Sequence, residues 1–258
     1  MMKKIVCIGA GRLANQLMPA LEEDGAGEVV QVYNRTIEAA ELLSKKLHKA
    51  SFTNSVSEIV KDADLYFLAI SDDAIPFVAD QLMSIIPVDS IGVHCSGSLG
   101  LDVLPFERKA GFYPLQSFSA NHEVSWRWIP IIITAPEEDT WFALDAIAGR
   151  LSSTVYRMTD EQKAVLHVAA VFANNFSNHM LTLAESICLE QNLPFEILKP
   201  LILETFSKAI LSGPKSSQTG PAVRGDQKTI DKHLRLLAGH PELMVIYNAI
   251  TKSITENK

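Results

Sequence analysis

Two groups of residues have the types and spacing to do chemistry. The first is Gly9-x-Gly11-x-x-Ala14, which follows the apolar run Lys4 to Ile8 and leads into Leu13, Leu17 and Leu21 at helical spacing. Strand, tight turn and helix in that order form a dinucleotide-binding fingerprint. The first glycine permits the turn, the second lets a pyrophosphate approach the backbone, and the small third residue lets the helix pack on the strand. The helix start then offers free N–H groups and a positive dipole end to phosphates. Gly9, Ala10, Gly11, Arg12 and Leu13 are thus the expected pyrophosphate cradle; a glycine-rich turn that binds nothing is the plainer alternative. The second group is Lys163, His167, Asn174 and Asn178, spaced four, seven and four apart. At 100° per residue they fall within about 60° of arc, one stripe along a helix. On an otherwise apolar helix such a stripe suits the lining of a polar cleft. A solvated stripe, or side chains that satisfy buried backbone groups, would look the same.

The cofactor choice rests on the end of the second strand, Val29 to Tyr33. An NAD site usually carries Asp or Glu there to bind the ribose 2′-hydroxyl. This chain has Tyr33-Asn34-Arg35-Thr36 and no acid before Glu38. Asn34, Arg35 and Thr36 can offer a guanidinium and neutral donors to a 2′-phosphate that a carboxylate would repel. NADP is therefore the expected cofactor, while Arg35 and Thr36 also suit the cap of the next helix.

The elements that must position these groups can be read from pattern. Residues 1–158 alternate apolar strands (Lys4–Ile8, Val29–Tyr33, Ala63–Ile70, Ser90–Cys95, Gly111–Tyr113, Ile129–Thr134, Thr154–Met158) with helical stretches (Ile37–Leu47, Ala74–Ile86, Pro136–Arg150). That alternation predicts a doubly wound parallel sheet of Rossmann type. Ligands bind such sheets at the carboxyl ends of the strands, so Ser71, Ser96 and Gly97 are expected at the nicotinamide end. Asp72 and Asp73 suit either that edge or a helix cap, and His94 suits a packed core position better than a catalytic one. From residue 159 strand patterns stop. A long apolar helix, Lys163 to about Gln191, is followed by helical stretches to the end, giving an all-α domain over 159–258. The loop Thr219-Gly220-Pro221-Ala222-Val223-Arg224-Gly225-Asp226 either folds over a cleft, with Arg224 and Thr219 meeting an anion, or simply caps the next helix with Asp226.

Composition excludes several classes. The 258 residues are 47% apolar and 21% charged, with a net charge of −7, which disfavours nucleic acid and anionic membranes as partners. No stretch approaches the ~20 apolar residues of a membrane span. Cys7, Cys95 and Cys188 lie far apart without metal-ligand spacing, so no metal is expected and the thiols suit a reducing, cytoplasmic setting.

These motifs resemble those of the Rossmann-like NADP oxidoreductases whose C-terminal part is a domain of unknown function. That family is related to pyrroline-5-carboxylate reductases, deazaflavin-dependent NADP reductases and β-hydroxyacid dehydrogenases. The resemblance spans essentially the whole chain. It is carried by Gly9-x-Gly11, Asn34-Arg35, His94-Cys95-Ser96-Gly97, Lys163 with His167 and Asn174-Asn175, and the stretch Thr219 to Asp226. It implies an NADP cofactor and a helical domain that pairs two subunits into a homodimer. There is one departure. β-Hydroxyacid dehydrogenases place Asn four residues after the Lys that polarises the substrate oxygen, and here that position is His167.

The resulting expectation is an NADP-dependent oxidoreductase that transfers hydride to a small carboxylated carbonyl or imine compound. His167 would be the proton donor, and Lys163 and Asn174 would orient the substrate. The competing expectation is a non-catalytic NADP-binding sensor or regulatory protein.

Overall fold

The computed structural model describes residues 2–119 and 124–257. Its sheet has eight strands: β1 (Lys4–Ile8), β2 (Glu28–Tyr33), β3 (Ser51–Thr53), β4 (Leu65–Leu68), β5 (Ile91–His94), β6 (Arg108–Pro114), β7 (Ile131–Thr134) and β8 (Val155–Arg157). They lie in the order β3-β2-β1-β4-β5-β6-β7-β8. The doubly wound α/β fold is thus as expected, with one difference. β7 pairs antiparallel to β6, and β8 runs parallel to β7, so the last two strands point against the other six. Strand direction leaves no mark on an apolar run, and all three strands read alike in sequence.

The apolar runs form central strands because both faces of the sheet are covered. In β1, Ile5 and Cys7 enter one core layer and Val6 and Ile8 the other. In β4, Leu65 and Phe67 divide from Tyr66 and Leu68 in the same way. The first layer takes α1 (Ala14–Glu23), α2 (Ile37–Ser44) and α4 (Glu138–Leu151), and the second takes α3 (Ile75–Leu82). The order reverses between β1 and β4, which places the crevice of the fold at the carboxyl ends of those strands.

Thr159 caps the next helix, α5 (Asp160–Ala170), through a capping box with Gln162. The helix predicted to run to about residue 191 does continue to Glu190, but its winding changes on the way. Val171–Phe176 form a π-helical turn before α6 (Ser177–Glu190) begins. The uniform 100° spacing behind the four-residue stripe therefore holds for Lys163 and His167 and lapses at Asn174.

The chain divides into two units, 1–172 and 173–258. The second holds α6, α7 (Lys199–Ser212), the short α8 (Pro221–Arg224), α9 (Gln227–Leu236) and α10 (Pro241–Glu256). Pro200 stands in the first turn of α7, where its missing N–H costs nothing, so it suits the start of that helix. Asp226 caps α9, its Oδ1 accepting from the Thr229 N–H at 3.1 Å. Among the described residues no helix is long and apolar enough to cross a membrane.

Candidate functional site

The turn after β1 is built by Gly9. Its φ is +110°, and a Cβ there would stand 2.5 Å from the Ala69 carbonyl oxygen, so no other residue fits. Gly11 is exposed, and α1 winds from it, with Asn15 N–H bonded to the Gly11 carbonyl at 3.0 Å. The N–H groups of Gly11, Arg12 and Leu13 have no hydrogen-bond partner among the described residues. An open row of N–H groups ahead of a helix is what a phosphate requires.

At the end of β2 the three expected residues divide. Asn34 is a tie between loops. Its Oδ1 accepts from Ala10 N–H at 3.3 Å and its Nδ2 donates to the Thr36 carbonyl at 3.0 Å, so its amide shapes the glycine turn and keeps a second Nδ2–H beyond these two bonds. Arg35 and Thr36 are exposed. Thr36 sits at the N-cap position of α2 without a side-chain cap bond. The guanidiniums of Arg12 and Arg35 both lack a partner among the described residues. The glycine cradle, the open N–H groups and the two free guanidiniums fit a dinucleotide that carries an additional phosphate.

Beyond β4 and β5, Ser71 is exposed while Ser96 and Gly97 are buried. Ser96 Oγ accepts from the N–H groups of Ser98 and Leu99 at 3.1 and 3.0 Å and so organises its own loop. Asp72, expected as a cap or a cleft residue, makes no cap bond; its Oδ2 accepts from Ser98 Oγ at 2.5 Å and ties the two loops together.

Under these loops lies a polar cluster. His94 is wholly buried. Its Nδ1 accepts from the Ser96 N–H at 3.2 Å, and its Nε2 has no partner among the described residues. Burial first, then the nearby Lys163 charge, push its imidazole down to about 4, so it is a neutral core histidine at pH 7. Lys163 is also wholly buried. Its Nζ donates to the Leu99 carbonyl at 2.7 Å and to Asp160 Oδ1 at 3.0 Å, and Asp160 Oδ2 accepts from Leu101 N–H at 2.8 Å. Burial draws the ammonium below the ordinary lysine range, against the pull of Asp160. One of its three N–H groups thus ties α5 to the loop after β5, and a second holds Asp160, which itself accepts from Leu101.

His167, one turn along α5, is half-buried, and its Nδ1 lies 3.1 Å from Tyr113 Oη on β6. Sequence reasoning named Tyr113 only as a strand residue. Its place at the carboxyl end of a strand, two residues past Gly111 on the same face, was the available signal. Asn174 and Asn178 lie in the second unit and are exposed, as are Thr219 and Arg224.

Comparison with known proteins matches the two ends of the chain to different families. The family described as domain of unknown function DUF2520 matches residues 129–254, and the shikimate/quinate 5-dehydrogenase family matches residues 1–89. The crystal structure of a "putative NADP oxidoreductase" from Bacteroides fragilis is 39% identical, with a TM-score of 0.90, over 99% of this chain and 98% of that one. A Thermotoga maritima protein of known structure is 23% identical, with a TM-score of 0.75, over 98% and 97% of the two chains. An imine reductase from Myxococcus stipitatus, solved with NADP+, is 14% identical, with a TM-score of 0.73, over 98% and 93%; at that identity the likeness is one of fold. No curated protein matches. The chain belongs to the family of Rossmann-type NADP oxidoreductases that carry the DUF2520 domain.

Proposed function

We propose that the protein is a reductase of small, carboxylated carbonyl or imine compounds, to which a bound NADPH supplies hydride. The observation that carries this reading is the glycine turn with three open N–H groups, flanked by the unpaired guanidiniums of Arg12 and Arg35 where an NAD site would hold a carboxylate. Gly9, Ala10, Gly11, Arg12 and Leu13 would hold the pyrophosphate, and Arg35 and Thr36 the 2′-phosphate, with Asn34 shaping the turn between them. Ser71, Ser96 and Gly97 flank the nicotinamide end. His167 supplies the proton, and Lys163 positions α5 beneath it.

Calorimetric titration tests the cofactor assignment. NADPH is expected to bind at micromolar Kd and at least tenfold more tightly than NADH. Arg35→Glu is expected to weaken NADPH by roughly 1.5–3 kcal/mol, the worth of a hydrogen bond to a charged group, while leaving NADH little changed. Equal affinity for both cofactors in the wild type would defeat the 2′-phosphate assignment. Binding without turnover of any ketoacid or cyclic imine would favour the sensor reading instead.

A homodimer through the helical unit is part of the proposal. Among the described residues after 172 only Ala222 and Ile230 are buried hydrophobic residues, while Leu203, Ile210, Leu211 and Val245 are 69–82% exposed. A helical unit with so little core of its own is completed by a partner surface. Sedimentation equilibrium at micromolar concentration should give twice 28.4 kDa, and Leu203→Asp should shift the mass toward the single chain.

A further inference from the structure

Strand β6 and helix α5 meet in step. Gly111 and Tyr113 stand two residues apart on one strand face, a rise of about 6.6 Å. Lys163 and His167 stand four apart on the helix, a rise of about 6 Å. Lys163 Nζ accordingly lies 3.2 Å from where a Cβ on Gly111 would be, and His167 Nδ1 lies 3.1 Å from Tyr113 Oη. The Tyr113 and His167 rings meet edge to face, with centroids 5.8 Å apart at 69°. Gly97 closes the third side. A Cβ there would stand 2.6 Å from Tyr113 Cζ and 2.7 Å from His167 Nδ1, so the hydrogen-bonded pair rests directly on the backbone just past β5.

From this geometry we infer that Tyr113 is a positioning residue that acts through His167: its Oη accepts the Nδ1–H, leaving Nε2 as the nitrogen that exchanges protons with a bound substrate. The inference rests on the reductase reading and adds a residue which that reading does not require. In the charged imidazolium both nitrogens carry hydrogen. Nδ1–H stays on Oη while the Nε2–H bond breaks. An O–H or N–H bond forms on the substrate heteroatom, whose carbon has accepted hydride from NADPH. The electron pair of the broken bond remains on Nε2, the imidazole left behind is neutral with its proton on Nδ1, and water returns a proton to Nε2.

Tyr113 stays a phenol throughout. Burial lifts its hydroxyl above the ordinary tyrosine range, which keeps it protonated and unsuited to be the proton source. Lys163 is unsuited for another reason: it has no exposed surface, and its ammonium is already bonded to Leu99 and Asp160.

Nuclear magnetic resonance on protein carrying 15N-histidine reads the tautomer directly, with His167 assigned through His167→Gln. Neutral His167 should carry its proton on Nδ1 in the wild type. In Tyr113→Phe, which keeps the ring and its edge contact, the proton should move to Nε2. Gly97→Ala, which drives a methyl into the pair, should break the same bond by a different route. A wild-type proton on Nε2, or unchanged nitrogen shifts in Tyr113→Phe, would overturn the inference whether or not any substrate reacts. Where a ketoacid or cyclic imine is turned over, Tyr113→Phe should lower kcat roughly ten- to a hundredfold and move the pH profile, with the Kd for NADPH unchanged. An unaltered kcat and profile would also overturn it. Failure of the wild type on every such substrate would count against the reductase reading, and the tautomer alone would then decide the role of Tyr113.

Discussion

Gly9→Val is expected to abolish NADPH binding and to lower the free energy of unfolding by roughly 3–5 kcal/mol, combining backbone strain with overpacking. Two effects coincide at this residue. Its φ of +110° is a conformation that a β-branched residue adopts only under strain. Its missing side chain is also the space into which the Ala69 carbonyl projects, 2.5 Å from an ideal Cβ, with Ile70 Cγ2 at 2.6 Å. Ala69 cannot retreat cheaply, because its N–H is fixed to the Ile8 carbonyl at 2.8 Å across adjacent strands. Relief must come from the turn, and that displaces the N–H groups of Gly11, Arg12 and Leu13, the proposed phosphate cradle. Gly149→Ala in α4 is the control: nothing lies within 4 Å of its Cβ, and the change should stabilise the helix by about 0.5–1 kcal/mol. Urea unfolding and calorimetric titration of the two variants check both halves. A Gly9→Val protein that binds NADPH within tenfold of the wild type would remove the turn from the cofactor site.

The second large effect is on acid stability, through His94. Its imidazole titrates at about 4 in the folded chain, against 6.5 for an unperturbed histidine. Lys163 opposes its protonation, and Asp160 and Asp72 favour it, but burial dominates. The sign follows from which state binds the proton first. Above pH 6.5 His94 is neutral in both states and its contribution is complete. As pH falls from 6.5 toward 4, the unfolded chain gains a proton that the folded chain refuses, and stability declines. At about 1.36 kcal/mol per unit, the loss between roughly pH 7.5 and 4.5 is about 2–3 kcal/mol. His94→Asn retains an acceptor near the Ser96 N–H and removes the titration. Its stability at about pH 7.5 should fall by about 1–2 kcal/mol for the space left behind, while the difference between the two pH values should shrink by about 2–3 kcal/mol. Denaturant titrations at both pH values measure the two quantities, and parallel curves for wild type and variant would show that His94 does not resist protonation.

What could be read in advance was what is encoded locally. Strand, turn and helix around Gly9 are neighbours in the chain, and the central strands betray themselves by apolar runs that no half-exposed strand would carry. The site was legible only where one stretch supplies it. Tyr113 and His167 are 54 residues apart, and nothing in either neighbourhood announces the other. Lys163 was recognisable as an unusual cation on an apolar helix, and Asp160 three residues earlier was a readable partner, yet the burial of the pair depends on the Leu99 loop. Asn34 had the right type at the right place, and its part in holding the turn, between Ala10 and Thr36, could not be read from its neighbours in sequence. The π turn at Val171–Phe176 escaped notice because a periodicity argument assumes the period it tests.

The reversal of β7 and β8 has a consequence for direction. In a right-handed crossover, the helix runs back against the strands it covers. Here the chain leaves β8 already turned about, and Lys163 beside Gly111 followed by His167 beside Tyr113 shows that α5 ascends with β6 instead of descending against it. Two backward strands at the edge of the sheet thereby convert a helix that would lead away from the carboxyl ends into one that delivers its imidazole there. An edge-strand deletion that removed them would keep every residue of the dyad and lose the heading that brings it to the carboxyl ends of the strands.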